Sequence, residues 1–275
     1  MADFSVADVK TLRERTGAGM VDSKNALVDA GGDIEKAIEI LRVKGLKSVA
    51  KREGRSTSEG LVAAKVESGA ATLIELATET DFVAKNEKFG QLAEAVLEAA
   101  VAAQATTAEE ALAAPAGSGT VQELIDDQAA VLGEKVELRR LARLEGSEFA
   151  VYLHKTSKDL PPQVGVVVAY TGDDADTARG VAQHVAMFAP QYLTRDEVPA
   201  EAVENERRIV EDTAKAEGKP EAAMPKIIEG RLTGFFKEIV LLDQGYARES
   251  KKSVSSVLDE AGLTVSGYVR FKVGA

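Results

Sequence analysis

LVAAKVESGAATLIELATETDFVAKNEKF, residues 61–89, changes its hydrophobic rhythm twice within one short stretch. Leu61 to Glu67 and Thr72 to Thr78 are runs rich in Val, Ile and Leu, and Ser68-Gly69 lies between them, which predicts two paired strands with a short turn. From Phe89 onward the apolar residues recur at steps of three and four, as Leu92, Val96 and Ala100, and predict a helix with one buried face. The junction is Thr80-Asp81-Phe82-Val83-Ala84-Lys85-Asn86, where a carboxylate and a large aromatic stand side by side. Two readings are open there. Thr80 or Asp81 accepts a bond from the first free N–H groups of the helix while Phe82 tucks into the core, or Asp81 and Phe82 form an exposed wedge.

Upstream of the hairpin, residues 1–55 read as three short helices. Val6, Val9 and Leu12 give the first its apolar stripe, Ser5 and Asp8 are spaced as a capping pair, and Gly17 falls just past its end. Gly19 to Ala30 forms the second, closed by Gly31-Gly32, and Asp33 caps a third that carries Ile34, Ala37, Ile38 and Leu41. A bundle this small has a marginal core and suits a docking module. Gly54-Arg55-Ser56-Thr57-Ser58 reads as a linker.

Downstream, Thr107 with Glu110 and Thr120 with Glu123 have capping-box spacing around a Pro115–Gly119 surface loop. Val121, Leu124, Ile125, Gln128 and Leu132 line a further helix, and Glu134 to Leu144 returns as a strand. Phe149–His154, Val164–Tyr170 and Tyr268–Val273 are strand candidates, with a helix at Ala175–Ala189. Glu201–Glu217 and Glu221–Glu238 flank the helix-breaking Gly218-Lys219-Pro220, and Met224, Ile228, Leu232, Phe235 and Ile239 form a seam for an antiparallel helical hairpin at about 197–240. Strands mixed with helices without strict alternation give an α+β fold with antiparallel sheets. The expected units are 1–55, a helical docking domain, 56–144, a first core subdomain, and 145–275, a second one carrying the hairpin.

The 275 residues carry a net charge of −11, two histidines and no cysteine. Disulfides, thiolate metal sites and a cysteine nucleophile are excluded. A net negative charge argues against a direct, sequence-independent grip on nucleic acid. Residues 1–55 carry 11 basic and 9 acidic side chains, and Lys44, Lys47, Lys51, Arg52 and Arg55 cluster there, which reads as a solvated helix end. No apolar run approaches the roughly 18 residues of a membrane span, and Met1-Ala2-Asp3-Phe4 lacks a secretory pattern, so the cytoplasm is the expected compartment. Neither a phosphate loop nor a Gly-x-Ser-x-Gly elbow is present, and His154 and His184 cannot build a multi-histidine metal site. No catalytic residue, metal site or cofactor is expected, and the chain reads as a protein that acts on another macromolecule.

Two segments resemble a known family. Val9-Lys10-Thr11-Leu12-Arg13-Glu14-Arg15-Thr16-Gly17-Ala18-Gly19-Met20-Val21-Asp22-Ser23-Lys24-Asn25-Ala26-Leu27, continuing through Gly32-Asp33-Ile34-Glu35-Lys36-Ala37-Ile38, resembles the opening module of bacterial translation elongation factor Ts. Thr80 to Asn86 resembles that family's signature, and His184-Val185-Ala186, Gly218-Lys219-Pro220 and Gly267-Tyr268-Val269-Arg270-Phe271 follow in the family's order. The resemblance implies a ubiquitin-associated-like N-terminal domain, two α+β core subdomains and a protruding helical hairpin. It implies exchange of GDP on elongation factor Tu, met in its GDP-bound and nucleotide-free forms, with Thr80, Asp81, Phe82 and Val83 dislodging Mg²⁺. Met20, Val21 and His184 fall at partner-binding positions. Met20 and Val21 have a bundle-closing alternative, which suits Val21 better, and His184 has that of a satisfied histidine packed on its helix. Many relatives have two methionines where this chain has Met20-Val21. A partner that holds elongation factor Tu without exchange, in the manner of a chaperone, is the alternative function. The hairpin leaves a homodimer or heterotetramer open.

Overall fold

The computed structural model describes residues 4–275, apart from the side chain of Leu46. Met1-Ala2-Asp3, part of the opening read above for a secretory pattern, lies outside them. Three helices come first: α1 (Val6–Thr16), α2 (Met20–Asp29) and α3 (Ile34–Ala50). Ser5 and Asp8 form the expected capping box, and Gly17 ends α1 at φ 71°, a left-handed position that costs other residues strain. Asp33 caps α3 by accepting from the Lys36 N–H at 3.1 Å. Val9, Leu12, Ala26, Leu27 and Ala37 make the small core. Val6 does not join its expected stripe and is exposed. Phe4 packs on the cluster instead, from the position before the cap where a hydrophobic staple to Val9 belongs. The expected linker is anchored at its far end, because Thr57 is buried and its hydroxyl donates to Glu137 Oε1 at 2.5 Å.

β1 (Glu59–Glu67) and β2 (Ala70–Thr78) pair antiparallel around the Ser68-Gly69 turn, with Glu59 opposite Thr78. Every residue of β2 is buried, since Ala71 and Leu73 face one apolar cluster while Ile74 and Leu76 face another. That double burial is why its sequence is a nearly continuous apolar run. After the junction come α4 (Asp81–Ala84), α5 (Glu87–Ala102), α6 (Ala108–Ala113), the short pair β3 (Pro115–Ala116) and β4 (Gly119–Thr120), then α7 (Val121–Leu132). The box at Thr120 and Glu123 is complete. At α6, Thr107 caps as expected, but the Glu110 carboxylate accepts from the Thr106 N–H at 2.8 Å and the box is not closed on Thr107. β5 (Val136–Glu145) returns antiparallel to β2, giving the order β1-β2-β5.

The remainder is β6 (Glu148–His154), β7 (Val164–Thr171), α8 (Ala175–Phe188), α9 (Ala200–Ala216), α10 (Met224–Ile239), β8 (Gly245–Tyr246), β9 (Glu249–Ser253), α11 (Val254–Ala261) and β10 (Thr264–Lys272). The second antiparallel sheet has the order β10-β7-β6. α9 and α10 form the helical arm, with Met224 and Leu232 of the expected seam buried, as are Val210 and Ala214 of α9. α10 starts three residues later than the spacing predicts, because Glu221–Ala223 forms a tight 3₁₀ turn after Pro220. Its Pro225 sits in the first turn, where the missing N–H costs nothing.

The fold is thus mixed α+β with antiparallel sheets. The two larger sheets share a core, in which Val62, Ala71 and Leu73 meet Val167 and Phe271. Beside it the fully buried Glu75 accepts from Arg140 Nε at 2.6 Å and from the Gly274 N–H at 3.3 Å, so the end of the chain is tied to β2. Among the described residues no helix is long and apolar enough to cross a membrane.

Candidate functional site

β2 and β5 separate after the pair Thr78–Val136. Beyond the ladder, two backbone N–H groups are each taken by a carboxylate from the facing segment. Thr80 N–H donates to Glu134 Oε2 at 3.0 Å, and Lys135 N–H donates to Glu79 Oε1 at 2.7 Å. The Lys135 bond is the chief reason that the Glu79 carboxyl lies below its ordinary range.

From this clasp the chain turns outward. Thr80 is extended at φ −126° and ψ 158°, and its hydroxyl accepts from the Val83 N–H to start α4. Only one turn follows, because Asn86 starts α5 by accepting from the Lys88 N–H at 2.9 Å. Two caps this close force a corner. Val83 and Ala84 take its inner side and are buried, while Phe82 is 81% exposed. The reading in which Phe82 tucks into the core is therefore set aside, and Phe89, fully buried at the start of α5, fills that place. An exposed lone aromatic beside buried neighbours is a protrusion with about 1.5–3 kcal/mol of unrealised burial.

Asp81 Oδ2 lies 2.7 Å from Lys85 Nζ, one turn along. The hydrogen bond from Lys85 holds the Asp81 carboxyl below its usual range, and the same contact raises Lys85. The tip thus presents an ionised carboxylate, held by its lysine partner, next to an apolar ring. Among the described residues no three His, Cys, Asp or Glu side chains are grouped to hold a metal ion. Asp81 is an acid on a corner and not part of a metal cage.

Met20 and Val21 begin α2 and are 52% and 70% exposed. Val21, expected to close the bundle, does not, because the inward positions of α2 are Ser23, Ala26 and Leu27. The loop before them lies against α7 and the start of α5, since a Cβ added at Gly17 would stand 2.5 Å from Val131 Cγ1 and 3.7 Å from Lys88 Nζ. The Met20-Val21 pair therefore starts a few residues from the helix that follows the tip.

His184 is fully buried. Its Nδ1 accepts from the Ala247 N–H at 3.1 Å, so Nε2 carries the proton and donates to Gln244 Oε1 at 2.8 Å. The ring stacks on Phe188, with centroids 4.7 Å apart. Burial pushes its pKa down, against the opposing effect of the Gln244 bond. In the free chain it matches the alternative of a satisfied histidine, while the neighbouring Met187 and Phe188 are exposed. It sits in the second core, apart from the corner at residues 80–86.

Sequence reasoning passed over Glu134, Glu79 and Lys85. Lys85 had a signal, the i,i+4 spacing to Asp81. Glu134 follows the α7 terminator Gly133 and had none, because its partners are set by the register of β5 against β2.

A family model described as Elongation factor TS matches residues 79–275, beginning at this clasp. The chain is similar to "Elongation factor Ts" of Clavibacter michiganensis subsp. michiganensis, 68% identical over 275 residues and covering 100% of both chains. It is likewise similar to the proteins of that name from Leifsonia xyli subsp. xyli, 65% identical over 276 residues, and Micrococcus luteus, 58% identical over 277 residues, again with 100% of both chains covered.

Proposed function

The chain belongs to the elongation factor Ts family, and on that basis we propose that it is the guanine-nucleotide exchange factor of elongation factor Tu, with the Thr80–Val83 corner as the part that dislodges Mg²⁺. GDP is held in such a GTPase by backbone amides and by a cation that offsets the diphosphate charge. Phe82, presented on a corner that is capped at both ends, enters between apolar side chains of the partner and shifts the backbone under the metal. Asp81 follows with its carboxylate, which repels the diphosphate and competes with the diphosphate oxygens for the cation. The chain itself performs no bond chemistry. Exchange requires tighter binding to the nucleotide-free GTPase than to its GDP form, since only differential affinity shifts the equilibrium.

Within the same proposal, residues 1–55 dock on the partner through Met20 and Val21, and the 56–144 and 145–275 units form the body. His184 takes part by holding Phe188 and Met187 at the surface. The observation that carries the reading is the exposure of Phe82 on a corner whose other apolar residues are buried.

The test is release of fluorescent GDP from elongation factor Tu in a stopped-flow instrument. The wild-type chain speeds release, and Phe82→Ala slows it about 30-fold, the equivalent of losing one anchor of about 2 kcal/mol. Stable co-elution with elongation factor Tu but an unchanged release rate would reject exchange in favour of a holding or chaperone-like partner.

A further inference from the structure

We propose that Glu134 is the positioning residue of the exchange corner: it sets the direction in which Phe82 is presented without touching the partner. The proposal rests on the exchange reading above. The Glu134 carboxylate accepts from Thr78 Oγ1 at 2.8 Å, from Thr80 N–H at 3.0 Å and from Thr80 Oγ1 at 2.5 Å. Thr78 is fully buried and is the last β2 residue in the ladder. One side chain therefore spans the end of the sheet and the start of the corner.

An ionised carboxylate has only acceptors, so it fixes the polarity of every group around it. The Thr80 hydroxyl must spend its hydrogen on Glu134, which leaves a lone pair for the Val83 N–H at 3.4 Å. That cap is long, and without a fixed hydroxyl it has little to hold it. Glu79 binds back to Lys135 and to Arg55 Nη1, so the segment that carries the corner is stretched between two carboxylates. Phe82 has almost no packing of its own, and its direction is inherited from this turn. Loss of Glu134 spreads the ring over more directions. The loss falls on the step in which the ring enters the partner and leaves docking through the N-terminal helices alone.

Glu134→Gln keeps the size but turns one acceptor into a donor that faces the threonine hydroxyls. In GDP release measured against chain concentration, the maximal rate should fall about tenfold while the half-saturating concentration stays within about twofold. In a Phe82→Ala background the same change should cost less than about twofold, because no ring remains to aim. Thr80→Val, with Glu134 intact, should reproduce the loss. Full loss in the Phe82→Ala background, or a rise in half-saturating concentration with an unchanged maximum, would overturn the proposal. So would Phe82→Ala slowing release while Glu134→Gln and Thr80→Val do not. If Phe82→Ala has no effect, the wedge reading itself fails and takes this one with it. Thermal unfolding of each variant identifies general destabilisation, which lowers the rate equally in both backgrounds and counts against a positioning role.

Discussion

His184 shows how one side chain makes stability depend on pH. Its ring is buried and both nitrogens are engaged, so the folded chain resists a second proton that the unfolded chain accepts near the ordinary value of 6.5. A depressed folded-state pKa places the full stability above that value, and stability declines as the pH falls below it toward the folded value. The urea midpoint should therefore be lower at about pH 5.5 than at about pH 7.5, and His184→Gln should remove part of the difference. Glu137 does not confound the measurement. Burial raises its pKa, but Thr57, Lys135 and Arg139 outweigh that and hold it at about 2, so its contribution is lost only in stronger acid. The fate of such residues was hardly legible in the sequence. Phe89 was the exception, since its three-and-four period with Leu92 and Val96 put it on the buried face, whereas Phe82 lies outside that period and its exposure is decided by the two caps that set which way the corner faces.

At the scale of elements, α7 connects two parts of the proposed contact. Its C-terminal end leads into Glu134 and the corner, while its outer side carries the N-terminal helices. Arg42 Nε pairs with Asp127 Oδ1 at 3.1 Å, and Gly45 lies so close to Ala130 that an added Cβ would stand 2.7 Å from the Ala130 methyl. Ala130→Leu should push α3 away at a cost of about 1–3 kcal/mol to that seating. The expected readout is a raised half-saturating concentration in the exchange assay with a maximal rate close to wild type. Elements with strong local signals were legible. The β1–β2 hairpin, the caps at Ser5, Asp33 and Thr120 and the break at Gly218 follow from nearest neighbours in the chain. β8, β9 and α11 were missed. β9 is Glu-Ser-Lys-Lys-Ser, with no apolar alternation, and its pairing with β8 is held by the surrounding tertiary structure and not by its own pattern.

For the molecule as a whole, the seam between the sheets is the feature that sequence conveyed least. Gly165 on β7 faces the first sheet, where an added Cβ would stand 2.8 Å from Leu73 and 3.0 Å from Val62. Gly165→Val should part the sheets and lower stability by about 1–3 kcal/mol, read as a shift in urea midpoint. Glu75 is the polar counterpart of that seam. A glutamate inside an apolar strand reads as a solvated position, and only the arrival of Arg139, Arg140 and the Gly274 N–H explains why it is buried.

The α9–α10 arm is closed at its base and free at its far end. Arg195 grips Asp243 with two nitrogens at 2.7 and 3.0 Å, and Leu241 N–H donates to Tyr192 O at 2.8 Å. Residues 215–222 at the other end are exposed, and a Cβ added at Gly218 would meet nothing within 4 Å. The apex is thus a natural graft point: a reporter peptide or fluorophore carrier spliced in after Gly218 would ride outside the body while both strands of the join stay clamped below.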